Sequence, residues 1–208
     1  MAQTELKTRT GTATRRGGQR KAELIVAAAR EVLRHKGSAG FSLRAVADAA
    51  GVRLANVQYY FPQREDLVRA LFAAVADEYE TLYKTALAQV SDCPRKRMEA
   101  VLRLNFSNIC EPETRHFFLQ LWALLDRLDA DDGPLLRKFY HYDIDQLKRH
   151  IRALDPGAAE SDLEIRANLL AALIEGSMVV WGNQPDPRQR KRLVDGAVTQ
   201  AWLIVSPN

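Results

Sequence analysis

Cysteine is almost absent from this chain, which has only two among its 208 residues, Cys93 and Cys110. They form no CxxC pair and no metal-ligand spacing, so the sequence does not describe a disulfide scaffold or a zinc-binding domain. Long apolar runs are missing as well. The most apolar stretch, 169–181, is interrupted by Glu175 and is shorter than the ~20 residues that a membrane-spanning helix needs. Because the N-terminus also lacks an apolar segment, we expect a soluble, cytoplasmic protein without a signal peptide.

The side-chain groupings that catalysis or metal binding would require are also lacking. His141 and Asp145 stand four apart on a predicted helix, but no serine or cysteine nucleophile joins them. Glu113 and His116 have a spacing seen in carboxylate-bridged bundles, yet such sites need that pair twice and two further carboxylates. We therefore expect no enzyme activity, no metal and no cofactor.

Strand alternation is not sustained anywhere in the sequence, and apolar residues instead recur at spacings of three and four. This periodicity predicts an all-α fold of about nine helices. The predicted helices begin near Arg20, Leu43, Arg53, Pro62, Pro94, Pro112, Pro134, Ser161 and Arg188.

Charge is unevenly distributed, although the formal net charge is only +4. Residues 1–62 hold 11 Lys and Arg against 4 Asp and Glu, whereas the rest of the chain holds 19 against 22. A basic first third joined to a slightly acidic body is typical of a nucleic-acid-binding domain linked to a domain that does not contact DNA.

Two short helical patterns meet at Gly51 and carry the most informative signal of the chain. Ser42 precedes the first pattern, where its side-chain oxygen can cap free backbone N–H groups, and Gly51 follows it, where a left-handed turn favours glycine. In the second pattern Val57 and Phe61 face inward. This layout predicts a helix-turn-helix, whose second helix enters the major groove of DNA. The other face of the second helix shows Arg53, Asn56, Gln58, Tyr59 and Tyr60.

Residues 20–72 resemble the DNA-binding domain of the tetracycline-repressor (TetR) family of transcriptional regulators. The family often has serine where Arg53 stands and tyrosine where Gln58 stands. Beyond Phe72 the resemblance rests on length and helical patterning. The segments that carry it are Ile25 to Arg30, Leu43 to Val52, Tyr59 to Pro62 and Glu65 to Leu67.

The polar composition of the N-terminus and the family resemblance together predict three parts. Residues 1–18 have almost no apolar side chains and are expected to form a disordered basic arm. A three-helix helix-turn-helix DNA-binding domain is expected over 19–66. An effector-binding and dimerisation domain is expected over 67–208.

Candidate DNA contacts are of two kinds, because base contacts select the sequence and phosphate contacts position the protein. Arg53 and Asn56 lie near the start of the second helix, where arginine can read guanine and asparagine adenine. Gln58 can read adenine or contact the backbone. Arg44 is a further candidate for a phosphate contact. The resemblance implies phosphate contacts by Ser42, Tyr59, Tyr60 and Arg64.

The basic arm has two interpretations. Arg15 and Arg16, together with Arg20, can enter the adjacent minor groove, or they can belong to a solvated charged tail.

The family resemblance also implies a ligand cavity in the body. Plain core packing is the alternative for each of the aromatic residues. Asn105 falls on an apolar stripe and needs a partner, which can be an effector or another side chain. The predicted effector-binding residues are Asn105, Phe118, Trp122, Leu125, Tyr140, Met178 and Trp181.

The last two predicted helices carry wide apolar faces that favour a homodimer interface, as the family also implies. Burial inside a monomer is the alternative. The residues predicted at this interface are Ala167, Leu170, Ala171, Ile174, Met178 and Trp181 on one helix and Val194, Ala197, Val198, Ala201 and Val205 on the other.

These features predict a homodimeric regulator that binds double-stranded operator DNA, and a repressor that a small, largely apolar effector releases. One alternative is a regulator of the same fold that has no small-molecule effector or that activates transcription. Another is a helical-bundle enzyme or metal carrier with an incidental helix-turn-helix.

Overall fold

A computed structural model describes residues 16–132, 135–182 and 186–206, without the side chains of 16, 126–132 and 135–139. Over these residues the fold is all-α, with no strand, which confirms the predicted fold class. The helices are α1 (Arg16–Lys36), α2 (Leu43–Ala50), α3 (Leu54–Tyr60), α4 (Arg64–Ala88), α5 (Pro94–Asn108), α6 (Pro112–Asp132), α7 (Leu135–Leu154), α8 (Glu160–Trp181) and α9 (Pro187–Val205). Among them, none has the length and apolar character needed to cross a membrane.

Helix α1 begins at Arg16, four residues before its predicted start. The last three residues of the predicted arm are therefore helical. Once a helix has nucleated, each further residue whose backbone becomes ordered adds one hydrogen bond, so extension is easier than nucleation. Arg15 lies outside the described residues, as does the side chain of Arg16. The minor-groove contact of this arm stays a prediction.

The described chain divides into two compact units. The first unit holds residues up to 79 and residues 117–132, and the second holds residues 80–116 and those from 135 onward. Helices α4 and α6 each contribute to both units. The predicted boundary after residue 66 is a functional division, which this grouping does not test.

The core of the first unit is built from the inward faces of its helices. Tyr79 and Phe118 pack edge to face with ring centroids 5.5 Å apart, and Phe117 meets Phe118 in the same way at 5.6 Å. Edge-to-face contact aligns the positive ring edge with the negative ring face. The fully buried large side chains of this unit include Ile25, Leu33, Leu67, Leu71, Leu121, Leu124 and Leu125.

The turn after α1 depends on a side chain of α6 in the same unit. Gly37 has a φ of 64°, and a Cβ atom there would lie 2.8 Å from Oε1 of Gln120. The same Oε1 accepts a hydrogen bond of 2.8 Å from the backbone N–H of Ser38. Glycine at this position therefore permits both the left-handed backbone conformation and the close approach of the Gln120 side chain.

The second unit packs α8 against α7 and α9, with α5 also in contact with these helices. Arg166 is a buried cation of α8 with 6% of its surface exposed. Its guanidinium donates to the carbonyl oxygens of Ile204, Val205 and Ser206 at the end of α9. It also pairs with Asp155 and Asp162 at 3.0 and 2.9 Å. This set of partners offsets the cost of burying the charge.

The residues predicted for the dimer interface form the core of the second unit instead. All of them are buried except Trp181, which is half-buried. That prediction was wrong because apolar residues also lie on the outer face of α8, at Ile165, Leu169, Val179 and Val180, so spacing alone cannot tell its inner face from its outer face. The large apolar side chains that α8 and α9 do expose are Ile165, Leu169, Val179, Val180 and Leu203.

Candidate nucleic-acid interface

The two helices of the predicted motif are joined as the sequence indicates. Oγ of Ser42 accepts a hydrogen bond of 3.1 Å from the N–H of Ala45 and so caps α2. Gly51 ends α2 with a φ of 64°, in the left-handed region that glycine adopts without strain. The N–H of Val52 then reaches back to the carbonyl of Ala47 at 3.0 Å. These bonds fix the angle at which α3 leaves α2.

One face of α3 packs into the core of the first unit, and the opposite face is exposed to solvent. Val57 and the following Phe61 are buried, with 0% and 2% of their surface exposed. Arg53, Gln58 and Tyr59 are exposed, and Tyr59 retains 63% of its accessible surface. A short helix with one polar, accessible face is the arrangement that recognition helices present to base edges.

Asn56 and Tyr60 are half-buried, between the inner and outer faces of α3. The rings of Tyr59 and Tyr60 meet edge to face with centroids 5.1 Å apart. This edge-to-face contact favours the observed orientation of the two rings. Tyrosine hydroxyls donate hydrogen bonds to phosphate oxygens in protein–DNA complexes.

Arg53 directly precedes α3 as its capping residue and makes no side-chain cap hydrogen bond. The carbonyl oxygen of Arg53 accepts a hydrogen bond of 2.8 Å from the backbone N–H of Asn56. The first turn of α3 is therefore closed by backbone groups and does not involve the guanidinium. The Arg53 side chain is not used in capping α3.

Arg64 has a structural role that does not depend on any contact with DNA. Its Nε donates to the carbonyl of Phe41 at 3.2 Å, and its guanidinium lies 5.7 Å from the centroid of the Phe41 ring. These contacts hold the start of α4 against the residue before Ser42. Arg44 and Ser42, in contrast, are exposed at the start of α2.

The first part of the chain matches the sequence profile of the bacterial regulatory proteins of the tetR family over residues 25–71. An HTH-type transcriptional regulator encoded in the dhlA 5' region of Xanthobacter autotrophicus is 30% identical over 177 residues, which are 80% of this chain and 82% of that protein. The chain belongs to the TetR family of transcriptional regulators. The predicted resemblance is thereby confirmed.

Two further matches cover most of the chain. The HTH-type transcriptional regulator BetI of Burkholderia thailandensis is 29% identical over 195 residues, which cover 90% of this chain and 94% of BetI. A Pseudomonas aeruginosa PAO1 protein assigned as a transcriptional regulator shares the fold with a TM-score of 0.70 at 24% identity, over 93% and 95% of the two chains. The chain is thus a helix-turn-helix transcriptional regulator rather than an enzyme.

The predicted effector-binding residues fall into both compact units. In the first unit, Phe118 and Leu125 are buried in the core, whereas Trp122 is half-buried. Nε1 of Trp122 has no accessible surface and no hydrogen-bond partner among the described residues. A buried indole N–H normally finds an acceptor, so this donor is suited to a ligand oxygen.

In the second unit, both polar atoms of the Asn105 side-chain amide form hydrogen bonds with other protein groups. Its Oδ1 accepts a hydrogen bond of 2.7 Å from the Tyr83 hydroxyl, and its Nδ2 donates to the carbonyl of Val101 at 2.8 Å. Trp181 packs on Phe106 with centroids 6.1 Å apart. Met178 is buried.

Tyr140 lies beside two acidic residues that the sequence analysis did not select as candidates. Asp143 shares α7 with Tyr140, and Glu175 lies on α8. Burial, and then the negative charge of Asp143, raises the pKa of Glu175 to about 8. Burial raises the pKa of Asp143 to about 6. Burial and both carboxylates raise the pKa of the Tyr140 hydroxyl above its usual value. The interruption of the most apolar stretch by Glu175 was the sequence signal for this cluster.

Proposed function

We propose that the chain is a cytoplasmic repressor that binds operator DNA as a homodimer and releases it when a small molecule binds to the body. The observation that carries the DNA-binding part is the exposure of Gln58 and Tyr59 on α3, and of Arg53 directly before it, while Val57 of the same helix is buried. Regulators of the TetR family bind operators, and they often dimerise and bind small molecules.

Arg53 and Asn56 read bases in this proposal, and the tyrosines, Ser42, Arg44 and Arg64 contact the backbone. Arg53→Ala and Asn56→Ala are each expected to relax sequence choice at particular base pairs, by about 1–3 kcal/mol. Tyr60→Phe is expected to weaken binding to all sequences alike. The measurement is the affinity of each variant for a library of single-base operator variants, selected first with the wild-type chain.

The pattern over that library distinguishes the two roles. If Arg53→Ala weakened every operator variant equally, Arg53 would contact phosphate and its assignment as a base reader would be wrong. Gln58→Ala is measured in the same series, because Gln58 is exposed on the same helix and can contact either a base or the backbone.

The homodimer is proposed to form through the exposed outer faces of α8 and α9. On α8, Ile165, Leu169 and Val180 are 59%, 53% and 79% exposed, and the intervening Ala172 and Gly176 are exposed small residues in the same row. Leu203 on α9 is 73% exposed. Small residues between larger apolar ones let two helices approach closely, and contiguous exposed apolar surface marks protein interfaces.

The effector response is proposed to involve the half-buried Trp122. Trp122→Phe removes the indole N–H but keeps an aromatic ring, and it is expected to raise the effector concentration needed for operator release by roughly tenfold, the worth of one buried hydrogen bond. Trp122→Ala is expected to abolish release while leaving operator affinity nearly unchanged. The measurement is operator release by the effector, followed by fluorescence anisotropy of labelled DNA.

Stability is the control for this prediction, because losing a buried tryptophan costs roughly 3–5 kcal/mol of unfolding free energy. Melting curves of both variants are therefore recorded beside release. Normal release by the same effector in a folded Trp122→Ala dimer would place the effector site elsewhere.

A further inference from the structure

The turn between α1 and α2, at residues 37–40, is held by a side chain from a distant part of the chain. The backbone N–H of Ser38 donates a hydrogen bond of 2.8 Å to Oε1 of Gln120 on α6, 82 residues later. The neighbouring N–H groups of Gly37 and Gly40 bond instead to backbone carbonyls of α1. The bond from Ser38 thus ties the turn to another helix of the first unit.

Contacts to α1 and α4 fix the part of α6 that carries Gln120. One turn before Gln120, Phe117 is buried, and the Arg30 guanidinium of α1 lies 5.0 Å from the centroid of its ring. Such a cation over a ring face is attracted by the charge distribution of the ring. The same guanidinium pairs with the carboxylate of Glu78 on α4. Gln120 therefore reaches the turn from a helix that is itself held in place.

The far end of the turn leads directly into the helix-turn-helix. Phe41 is buried, and its carbonyl oxygen accepts a hydrogen bond of 3.2 Å from Nε of Arg64. Ser42 follows and caps α2. Two residues separate the anchor at Ser38 from the anchor at Phe41, so the backbone between them has little freedom. Any change in the path of the turn is therefore passed to the start of α2.

We propose that Gln120 is a positioning residue for operator binding, which holds the turn in the conformation that presents α2 and α3 to DNA. This inference rests on the proposed operator binding and requires no effector. Without the bond, the free chain samples other paths of the turn, and DNA binds the fraction of chains in which the turn has the correct path. Operator affinity then falls in proportion to that fraction.

A purely structural role for the bond predicts a different result. If the bond contributes only to the stability of the first unit, its loss lowers the melting temperature but leaves the DNA affinity of folded chains unchanged. Melting curves of all variants are therefore recorded first. Operator affinity is then measured at a temperature at which every variant is fully folded.

The test removes the acceptor of the hydrogen bond and then restores it. Gln120→Met keeps an unbranched side chain of similar length without the acceptor oxygen, whereas Gln120→Glu retains an oxygen that can accept from the Ser38 N–H. The matched control is Gln89→Met, because Gln89 is an exposed glutamine of the second unit. Two quantities are measured: affinity for the operator selected with the wild-type chain, and hydrogen exchange of the Ser38 amide in the free chain by NMR.

Gln120→Met is expected to bind the operator at least about fivefold more weakly than the wild type, which is the effect of losing one net hydrogen bond. Exchange of the Ser38 amide should become faster by about fivefold or more, because the turn opens more often. Gln120→Glu should return both quantities to within about twofold of the wild type. Gln89→Met should leave both within about twofold.

Gly37→Ala tests the same bond from the side of the turn. The added Cβ would lie 2.8 Å from Oε1 of Gln120, so the amide must move away and operator affinity should fall at least as far as in Gln120→Met. Gly182→Ala is the control for backbone strain, because Gly182 has a φ of 62° and its Cβ would meet no atom of the described residues within 4 Å. That strain arises in the second unit, so operator affinity should stay within about twofold.

The outcomes separate this inference from the proposed function. Unchanged operator affinity in folded Gln120→Met and Gly37→Ala chains would overturn the role of Gln120 and leave operator binding standing. A loss of affinity that Gln120→Glu does not restore would also overturn it, because the acceptor oxygen would then not be the cause. A wild-type chain that selects no DNA sequence would contradict the proposed function, and the inference with it.

Discussion

Raising the salt concentration from 50 to 200 mM is expected to weaken operator binding by roughly 10³–10⁵, which corresponds to about 6–10 neutralised phosphates. The expectation follows from the distribution of charge, because residues 1–62 hold 11 basic against 4 acidic side chains. Each phosphate that a lysine or arginine neutralises releases condensed counter-ions, and added salt opposes that release. The measurement is the slope of log affinity against log salt concentration.

Two single variants test whether the surface that contains α2 and α3 determines the slope of log affinity against log salt concentration. Arg44→Ala removes an exposed cation at the start of α2 and is expected to reduce the slope by about one, with a similar weakening for all operator sequences. Arg149→Ala removes an exposed cation of α7 in the second unit and serves as the control, with an unchanged slope. A flat salt response with intact binding would contradict the electrostatic account of the first unit.

The helix-turn-helix was predictable from sequence because each of its determinants is local. Ser42 caps α2 through a bond to a residue three positions away, and Gly51 supplies the left-handed turn by its own lack of a side chain. The inward direction of Val57 and Phe61 follows from helix periodicity. None of these features depends on residues distant in the sequence.

The body was predictable as a set of helices but not in its details, because those depend on distant partners. The partner of Asn105 is Tyr83, 22 residues away, and nothing in the spacing of the two residues points to that bond. Glu175 was visible as an interruption of an apolar stretch, but its position beside Asp143 depends on how α7 packs on α8. The outer face of α8 was assigned wrongly because its inner and outer faces are both apolar.

The second large effect is expected at that outer face. Leu169→Glu places a charge where a partner helix would pack, and it is expected to convert the dimer into a monomer of 23.4 kDa. A monomer loses the second half-site contact, so operator affinity should fall by about 10²–10⁴, the usual gain from binding two linked sites together. Sedimentation equilibrium gives the mass, and an operator titration gives the affinity.

Leu82→Glu is the matched control, because Leu82 is also an exposed leucine of the second unit, at 37% against 53% for Leu169. It should leave both mass and operator affinity unchanged. Val180→Glu, at the most exposed apolar position of α8, should repeat the effect of Leu169→Glu. A Leu169→Glu chain that stays dimeric would move the interface away from α8. A chain that becomes monomeric yet binds the full operator with wild-type affinity would show instead that the two half-sites are not read together.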